Sequence, residues 1–311
     1  MADRRLRTAA VVVTWEGGPA TTACVRSLRA QIPPPDEIVV VDNASGAAER
    51  AQLTTTWGQE RGVRLLLLDQ NRQFAGGMNA GAAATAGADR LFFLNNDTVF
   101  APDALSRLNA ALDACPPAGI VGPRVMDASH PGTVLTLGER HILPLLNVPR
   151  TMLRYRRARS AAFRVLGVMG CALLVTRACY DAVGGFSEAI EVYYEDVDFC
   201  LGARARGFAI LIEPSAVGHH DGMRGFLAGL TPWAAFLKAR NPWLLVRRRG
   251  RAWTWITFVP TYALMVAASA ALYALRGRRD IVRGLLRGAL AGLRATTSAP
   301  PPPVGAPAVR G

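Results

Sequence analysis

The chain has 311 residues, 50% of them hydrophobic and 19% charged, which suits one large α/β domain with an appendage and excludes a disordered chain. Its net charge of +13 is unevenly placed: from Arg224 to Gly311 fourteen Lys/Arg face one acid, Asp280, whereas the preceding 223 residues hold 22 basic and 22 acidic residues. The five cysteines (Cys24, Cys115, Cys171, Cys179, Cys200) show neither CxxC nor Cys/His metal spacing, which argues against a zinc site and suits a reducing compartment.

The N-terminus, MADRRLRTAAVVVTW, has no apolar stretch long enough for a signal peptide, so the catalytic part is expected in the cytoplasm. Residues 9–14 form a short apolar run closed by Gly17-Gly18-Pro19, the pattern of a buried parallel strand. Residues 21–31 have helical spacing and stop at Pro33-Pro34-Pro35. EIVVVDNAS is a second buried strand ending at Asp42, followed by a helix to about Trp57 and a third strand, VRLLLLD. The Gly/Ala-rich residues 76–87 predict a tightly packed helix. DRLFFLNND is a fourth strand ending in Asn95, Asn96 and Asp97, followed by a helix over 103–114 and the strand GIVGPRV. This alternation predicts an open, mainly parallel sheet flanked by helices, in which ligands bind beyond the carboxyl ends of the strands.

Residues 127–165 are irregular and turn basic, the pattern of a surface excursion or a flap over the site. VLGVMGCALLVTR returns to strand; a helix around 176–183 leads to the Gly184-Gly185 turn, a helix covers 196–206, and FAILIEPS is the last strand before Gly218-His219-His220-Asp221-Gly222. Trp253 to Leu275 carries no charge over 23 positions, enough to span a bilayer, with arginines at both ends and Pro260 inside. A true span, a kinked interfacial helix, a re-entrant hairpin and a helical pair packed on the catalytic domain all fit that pattern. Residues 280–294 are basic and amphipathic, suited to a membrane surface, and the Pro-rich tail 298–311 has a disordered composition. The expected organisation is a catalytic domain over 1–223, a basic apolar helical region over 224–297 that contacts membrane, and the tail.

Chemistry concentrates in VGGFSEAIEVYYEDVDF, where Glu195, Asp196 and Asp198 lie within four residues. Crowded carboxylates raise one another's pKa unless a cation or donor stabilises them, which makes them candidates for acid/base or metal chemistry. Taken singly, Asp42 and Asp97 read as helix N-caps. Taken together with the glycine-rich segment Phe74–Gly81 and the His pair, they form a constellation suited to a divalent cation, a diphosphate and a separate base.

In these motifs the chain resembles the inverting glycosyltransferases of family two with the GT-A (Rossmann-like) fold, specifically their rhamnosyltransferase-like branch in bacterial cell-surface polysaccharide synthesis. The resemblance covers about residues 8–225, with five motifs in order. It implies that Thr14, Trp15, Glu16 and Asp42 hold the nucleotide base and ribose, and that Asn71, Gly76, Gly77, Asn79, Asn95 and Asn96 line the donor site. Asp97 corresponds to the metal-binding Asp of a DxD signature, Asp196 to the catalytic base with Glu195 beside it, and His219, favoured over His220 by spacing, to the metal-ligating His. Asn95 replaces the first DxD acid, Glu16 and Gln73 stand where Asn and Gly are common, and Gly202 stands where an Arg is common, with Arg204 nearby. The resemblance further implies Mg²⁺ or Mn²⁺, a dTDP- or UDP-sugar donor with dTDP-rhamnose first, a glycan or polyprenyl-linked acceptor, and work at the cytoplasmic face of the plasma membrane. No QxxRW-like segment follows the His pair, which favours single addition over processive synthesis. The rival readings are a sugar nucleotidyltransferase, whose basic phosphate loop is missing from TWEGGPATT, and a catalytically inactive membrane-bound module. Nucleic-acid binding is disfavoured, because the basic charge accompanies an apolar 23-mer.

Overall fold

The computed structural model describes residues 5–138, 161–221 and 230–295. Most of the flap expected over 127–165, and the tail, lie outside the described residues.

Four strands, β1 (Thr8–Thr14), β2 (Glu37–Asp42), β3 (Val63–Leu67) and β4 (Arg90–Asn95), pair in parallel in the order β3-β2-β1-β4. Their continuous apolar runs follow from burial on both faces: every residue of TAAVVVT is buried. The connecting helices are α1 (Gly18–Arg29), α2 (Ala47–Trp57) and α3 (Gln73–Ala84). Strand order reverses at β1, so the crevice between β1 and β4 is a topological switch point. The expected helix over 76–87 is α3, starting three residues earlier. Gly77 and Gly81 face the sheet, and a Cβ at Gly77 would stand 2.8 Å from a Val13 methyl. That close approach, rather than flexibility, explains the glycines.

The other half of the sheet is mixed. A short β5 (Thr98–Phe100) and α4 (Ala104–Asp113) lead to β6 (Ala118–Asp127) and β7 (Val134–Thr136). Beyond the undescribed excursion come β8 (Phe163–Val165), β9 (Ala172–Thr176), α5 (Arg177–Val183), α6 (Glu195–Ala205) and β10 (Ala209–His220). β9 lies antiparallel between β4 and β6, and β10 runs parallel to β6 and antiparallel to β5. Helix α5 starts at Thr176, whose hydroxyl accepts from the Cys179 amide, and stops at Gly184 in the left-handed region with φ 85°.

β10 continues past the expected FAILIEPS to His220, through a register break between Glu213 and Val217. The His pair is therefore strand, and alternation sends the two rings to opposite faces.

The C-terminal region is three helices: α7 (Pro232–Arg249), α8 (Ala252–Leu275) and α9 (Arg279–Arg294). Gly284, Gly288 and Gly292 of α9 press on the α7 backbone near Pro232, Phe236 and Arg240, so the two helices run parallel in close contact. Arg247 caps the end of α9, donating to the carbonyls of Gly292 at 2.6 Å and Leu293 at 2.8 Å. α8 returns antiparallel, holding α7 through the Tyr262 hydroxyl to the Ala239 carbonyl (2.8 Å) and Phe258 edge-on to Trp243. Among the described residues α8 is the one helix long and apolar enough to cross a membrane, and little of it is buried. Across the boundary expected at 223/224, Leu244 and Leu245 of α7 share an apolar cluster with Ile190 and Val197, so α7 packs on the catalytic core.

Candidate active site

Thr14, Asp42 and Asn95 stand at neighbouring strand ends, with Thr14 opposite Asp42 and Val13 opposite Asn95. Three connections tie the loops there. The Thr14 hydroxyl meets that of Thr21 at 2.7 Å, and Asn96 Nδ2 donates to Thr21 at 3.2 Å. The Glu16 amide donates to Ser45 Oγ, and its carboxylate accepts from the Gly46 amide at 2.5 Å, holding Glu16 at φ 51°. Asn43, which the motif reading passed over, donates to the Gln73 carbonyl and accepts from the Arg72 amide, docking the start of α3. Trp15 is half-buried in the β1–α1 loop.

Several residues expected to line the donor site have other work. Asp42 is fully buried and committed: it accepts from the Ser45 amide and pairs with Arg50 at 2.8 Å. Asn79 uses its whole amide on the 180–188 segment, accepting from Tyr180 Oη and the Phe186 amide and donating to the Phe186 carbonyl and Glu188. It braces the 180–188 segment in this structure. Asn71 is exposed and accepts from the Gln73 amide at the start of α3. Gly77 faces the sheet, as above, and Gly76 adjoins Arg72 and Glu188.

Asp97 and the His pair form the second part of the site. It is His220, not His219, whose ring stands against Asp97, with Nε2 3.0 Å from Asp97 Oδ1 and 3.1 Å from Asn95 Nδ2. His219 is exposed on the other face of the strand and lines a cleft of about 380 Å³ beside Asp97, Ser129 and Asp221. Spacing alone favoured His219 over His220; alternation along β10 places the His220 ring, and not that of His219, against Asp97. Among the described residues, the buried Asp97 Oδ1 has no hydrogen-bond partner despite its nearness to the imidazole. His220 Nε2 and Asp97 Oδ1 thus bring an imidazole nitrogen and a carboxylate oxygen together at 3.0 Å. That pair fits a divalent cation. Among the described residues no third His, Cys, Asp or Glu joins them, which leaves coordination positions for the oxygens of a diphosphate.

The third part is the acidic cluster at the start of α6. Asp196 Oδ2 accepts from the Gly170 amide at 2.8 Å and Oδ1 from the Val197 amide at 2.8 Å. Burial pushes its pKa up, and these amide bonds offset only part of that, which suits a general base. The segment Gly170–Cys171 joins Asp196 to the Asp97 corner, because the Cys171 carbonyl accepts from the Asn95 amide at 3.0 Å and from Thr98 Oγ1 at 3.4 Å. No motif marks Gly170; it is legible only as the residue leading into β9. Glu195 beside Asp196 is buried.

Asp198, the third carboxylate, is structural. It is 1% exposed and gripped by Arg249 (2.8 and 3.0 Å) and Arg248 (3.3 Å) from α7. The guanidinium of Arg249 stands 2.7 Å from where a Cβ on Gly202 would be, so the C-terminal helix fills the space at the position expected to carry Arg.

The glycosyl transferase family 2 description matches residues 9–181. An uncharacterized protein of Sinorhizobium fredii is 31% identical over 201 residues, 60% of this chain, but the match spans only 21% of that relative's length. An N-acetylglucosaminyl-diphospho-decaprenol L-rhamnosyltransferase of Mycobacterium tuberculosis is 28% identical over 68% of this chain and 75% of its own, and a dTDP-rhamnosyl transferase of Shigella flexneri is 22% identical over 68% and 71%. Among solved structures, a mannosyltransferase of Pyrobaculum calidifontis in complex with GDP-Man and Mn²⁺ superposes with a TM-score of 0.58 at 17% identity, covering 94% of this chain and 88% of that one. GalNAc-T7 with UDP, GalNAc and Mn²⁺ gives 0.57 at 15%, covering 69% and 43%. The matched segment is more than half of the chain and takes in β1 through β9 with Asp42, Asp97 and Gly170, so the chain belongs to glycosyl transferase family 2 and carries its glycosyltransferase fold.

Proposed function

We propose that this protein transfers a sugar from a nucleotide-diphosphate donor, with inversion, to a saccharide or lipid-linked acceptor in cell-surface polysaccharide synthesis. The observation that carries the reading is the linkage of Asp196 to the Asp97–His220 corner through Gly170–Cys171. The relatives named as rhamnosyltransferases support dTDP-rhamnose as the first donor to try, ahead of a UDP-hexose or UDP-galactofuranose.

A divalent cation, Mg²⁺ or Mn²⁺, held by Asp97 and His220 when bound, would neutralise charge on the leaving diphosphate. The β1–α1 and β2–α2 loops hold the nucleotide. Asp196 takes the proton of the acceptor hydroxyl, and that oxygen attacks the anomeric carbon opposite the leaving nucleotide, so one displacement inverts configuration.

The C-terminal helices serve as a platform on an anionic lipid surface at the cytoplasmic face of the membrane. Ile256 (76% exposed), Leu264 (70%) and Leu275 (88%) on α8, with Leu286, Leu290 and Leu293 on α9, give apolar contact, and the arginines around them give the charge. The attachment of α8 along α7 favours a helix lying on the bilayer over one crossing it.

The test is donor binding and transfer across dTDP-rhamnose, UDP-galactofuranose and UDP-hexoses, with and without Mn²⁺ or Mg²⁺. Metal-dependent use of one donor, with a product of inverted anomeric configuration, supports the reading. Folded protein that binds none of them overturns it. Co-sedimentation with phosphatidylglycerol vesicles but not phosphatidylcholine vesicles is expected for the platform, and equal recovery with neither overturns it.

A further inference from the structure

We propose that Arg240 and Asn241 of α7 are positioning residues for the Asp196 base, holding in place the strained arch 190–194 from which α6 starts. The inference rests on the reading of Asp196 as base.

The arch is unusual in its backbone. Glu191, Tyr193 and Tyr194 have φ of 65°, 63° and 75°, left-handed values that L side chains rarely adopt. Such residues persist only where the surroundings over-determine them. Tyr194 is itself the N-cap of α6, and Asp196 is the second residue of that helix. A change in the arch therefore re-aims Glu195 and Asp196 directly.

What over-determines the arch is a buried polar cluster on α7. Asn241 is fully buried, and its Nδ2 donates to the carbonyls of Ile190, Val192 and Tyr193, each at 2.9 Å. One side chain thus gathers three of the four carbonyls between 190 and 193. Its Oδ1 accepts from Arg240 Nε at 2.9 Å, which fixes the amide orientation. The Arg240 guanidinium, 3% exposed, faces the Glu191 carboxylate at 3.4 and 3.5 Å. Lys238 lies over the Tyr193 ring at 4.8 Å, and the far side is closed by the Ala75 amide donating to the Glu191 carbonyl. Ordinary loop packing needs none of this: a buried charge pair and an amide aimed at three carbonyls are costly unless the geometry they impose is used.

The same residues connect two regions of the molecule. α7 is the helix on which α8 and α9 rest, so the C-terminal region reaches the reaction centre through Arg240 and Asn241.

The experiment uses the full-length protein with Asn241→Ala, Arg240→Ala, Arg240→Lys and Asp196→Asn. Asn241→Ala is expected to lower kcat about 100-fold, the scale of a misplaced catalytic group, with donor Kd changed less than twofold. The acid limb of its kcat/KM profile should shift from that of the wild type, because the helix that carries Asp196 no longer starts from a fixed arch. Arg240→Lys, which keeps the charge opposite Glu191, should recover most of the activity lost in Arg240→Ala. Should Asn241→Ala fail to fold, the two Arg240 variants decide. An Asn241→Ala or Arg240→Ala protein that melts earlier but keeps wild-type kcat and pH profile overturns the proposal. Wild-type turnover by Asp196→Asn would instead overturn the base assignment itself.

Discussion

Gly170 donates its amide to Asp196 Oδ2 at 2.8 Å, and a Cβ placed on Gly170 would stand 3.1 Å from Asp196 Cβ. The glycine is thus both a ligand of the base and the space it needs. Gly170→Ala must push the carboxylate or give up the bond. We expect kcat to fall tenfold to about 100-fold with donor affinity kept, read from single-turnover rates and donor titration.

Asp196→Asn should abolish transfer while leaving donor binding nearly intact. Burial raises the folded-state pKa of Asp196, so activity is lost as pH falls through a value above the ordinary ~3.9 of an aspartate. The linkage has the corresponding sign. The folded protein holds this proton more tightly than the unfolded chain does, so the contribution of Asp196 to stability declines as pH rises from the unfolded value through the raised one. Thermal melts should show Asp196→Asn gaining on the wild type across that window; a pH-independent difference would contradict the raised pKa.

His220→Ala should raise the Mn²⁺ concentration needed for half-maximal transfer at least tenfold, whereas His219→Ala should change it less than threefold. The contrast follows from the two faces of β10, and a metal titration of both variants checks it.

Removing both arginines that hold Asp198 leaves a buried carboxylate unpaired. Arg248→Ala combined with Arg249→Ala should cost about 3–5 kcal/mol, and Arg249→Ala alone less, because Arg248 remains at 3.3 Å. Urea unfolding of both variants measures the difference.

Gly81→Ala introduces a methyl where Val11 and Val41 already fill the space between α3 and the sheet. Overpacking of this kind costs about 1–3 kcal/mol, and a lowered midpoint with an unchanged denaturant slope is expected.

Much of this architecture was legible in the sequence. The apolar runs at 9–14 and 38–41 read as strands buried on both faces, as they are, and the sequence placed Asp42 at the end of one strand and Asp97 just beyond another. What was not legible depends on distant partners. The bonds of Asn79 to Phe186, more than one hundred residues on, could not be read from the motif around it. Asp198 looks like part of an acidic site until Arg249 arrives from α7. Motif spacing cannot tell which of His219 and His220 faces Asp97, because that depends on how far β10 runs, and the end of an element is where local pattern is weakest.

The grip of Arg248 and Arg249 on Asp198 also sets an order of events in synthesis. Residues 9–181, which carry the family pattern, leave the ribosome well before α7 does. Until residue 249 has emerged, Asp198 lacks the grip of both arginines, and before that the arch leading into α6 lacks Asn241. The nascent enzyme is therefore expected to remain silent until α7 has emerged, acquiring its reaction centre at about the time that the basic, apolar helices become available.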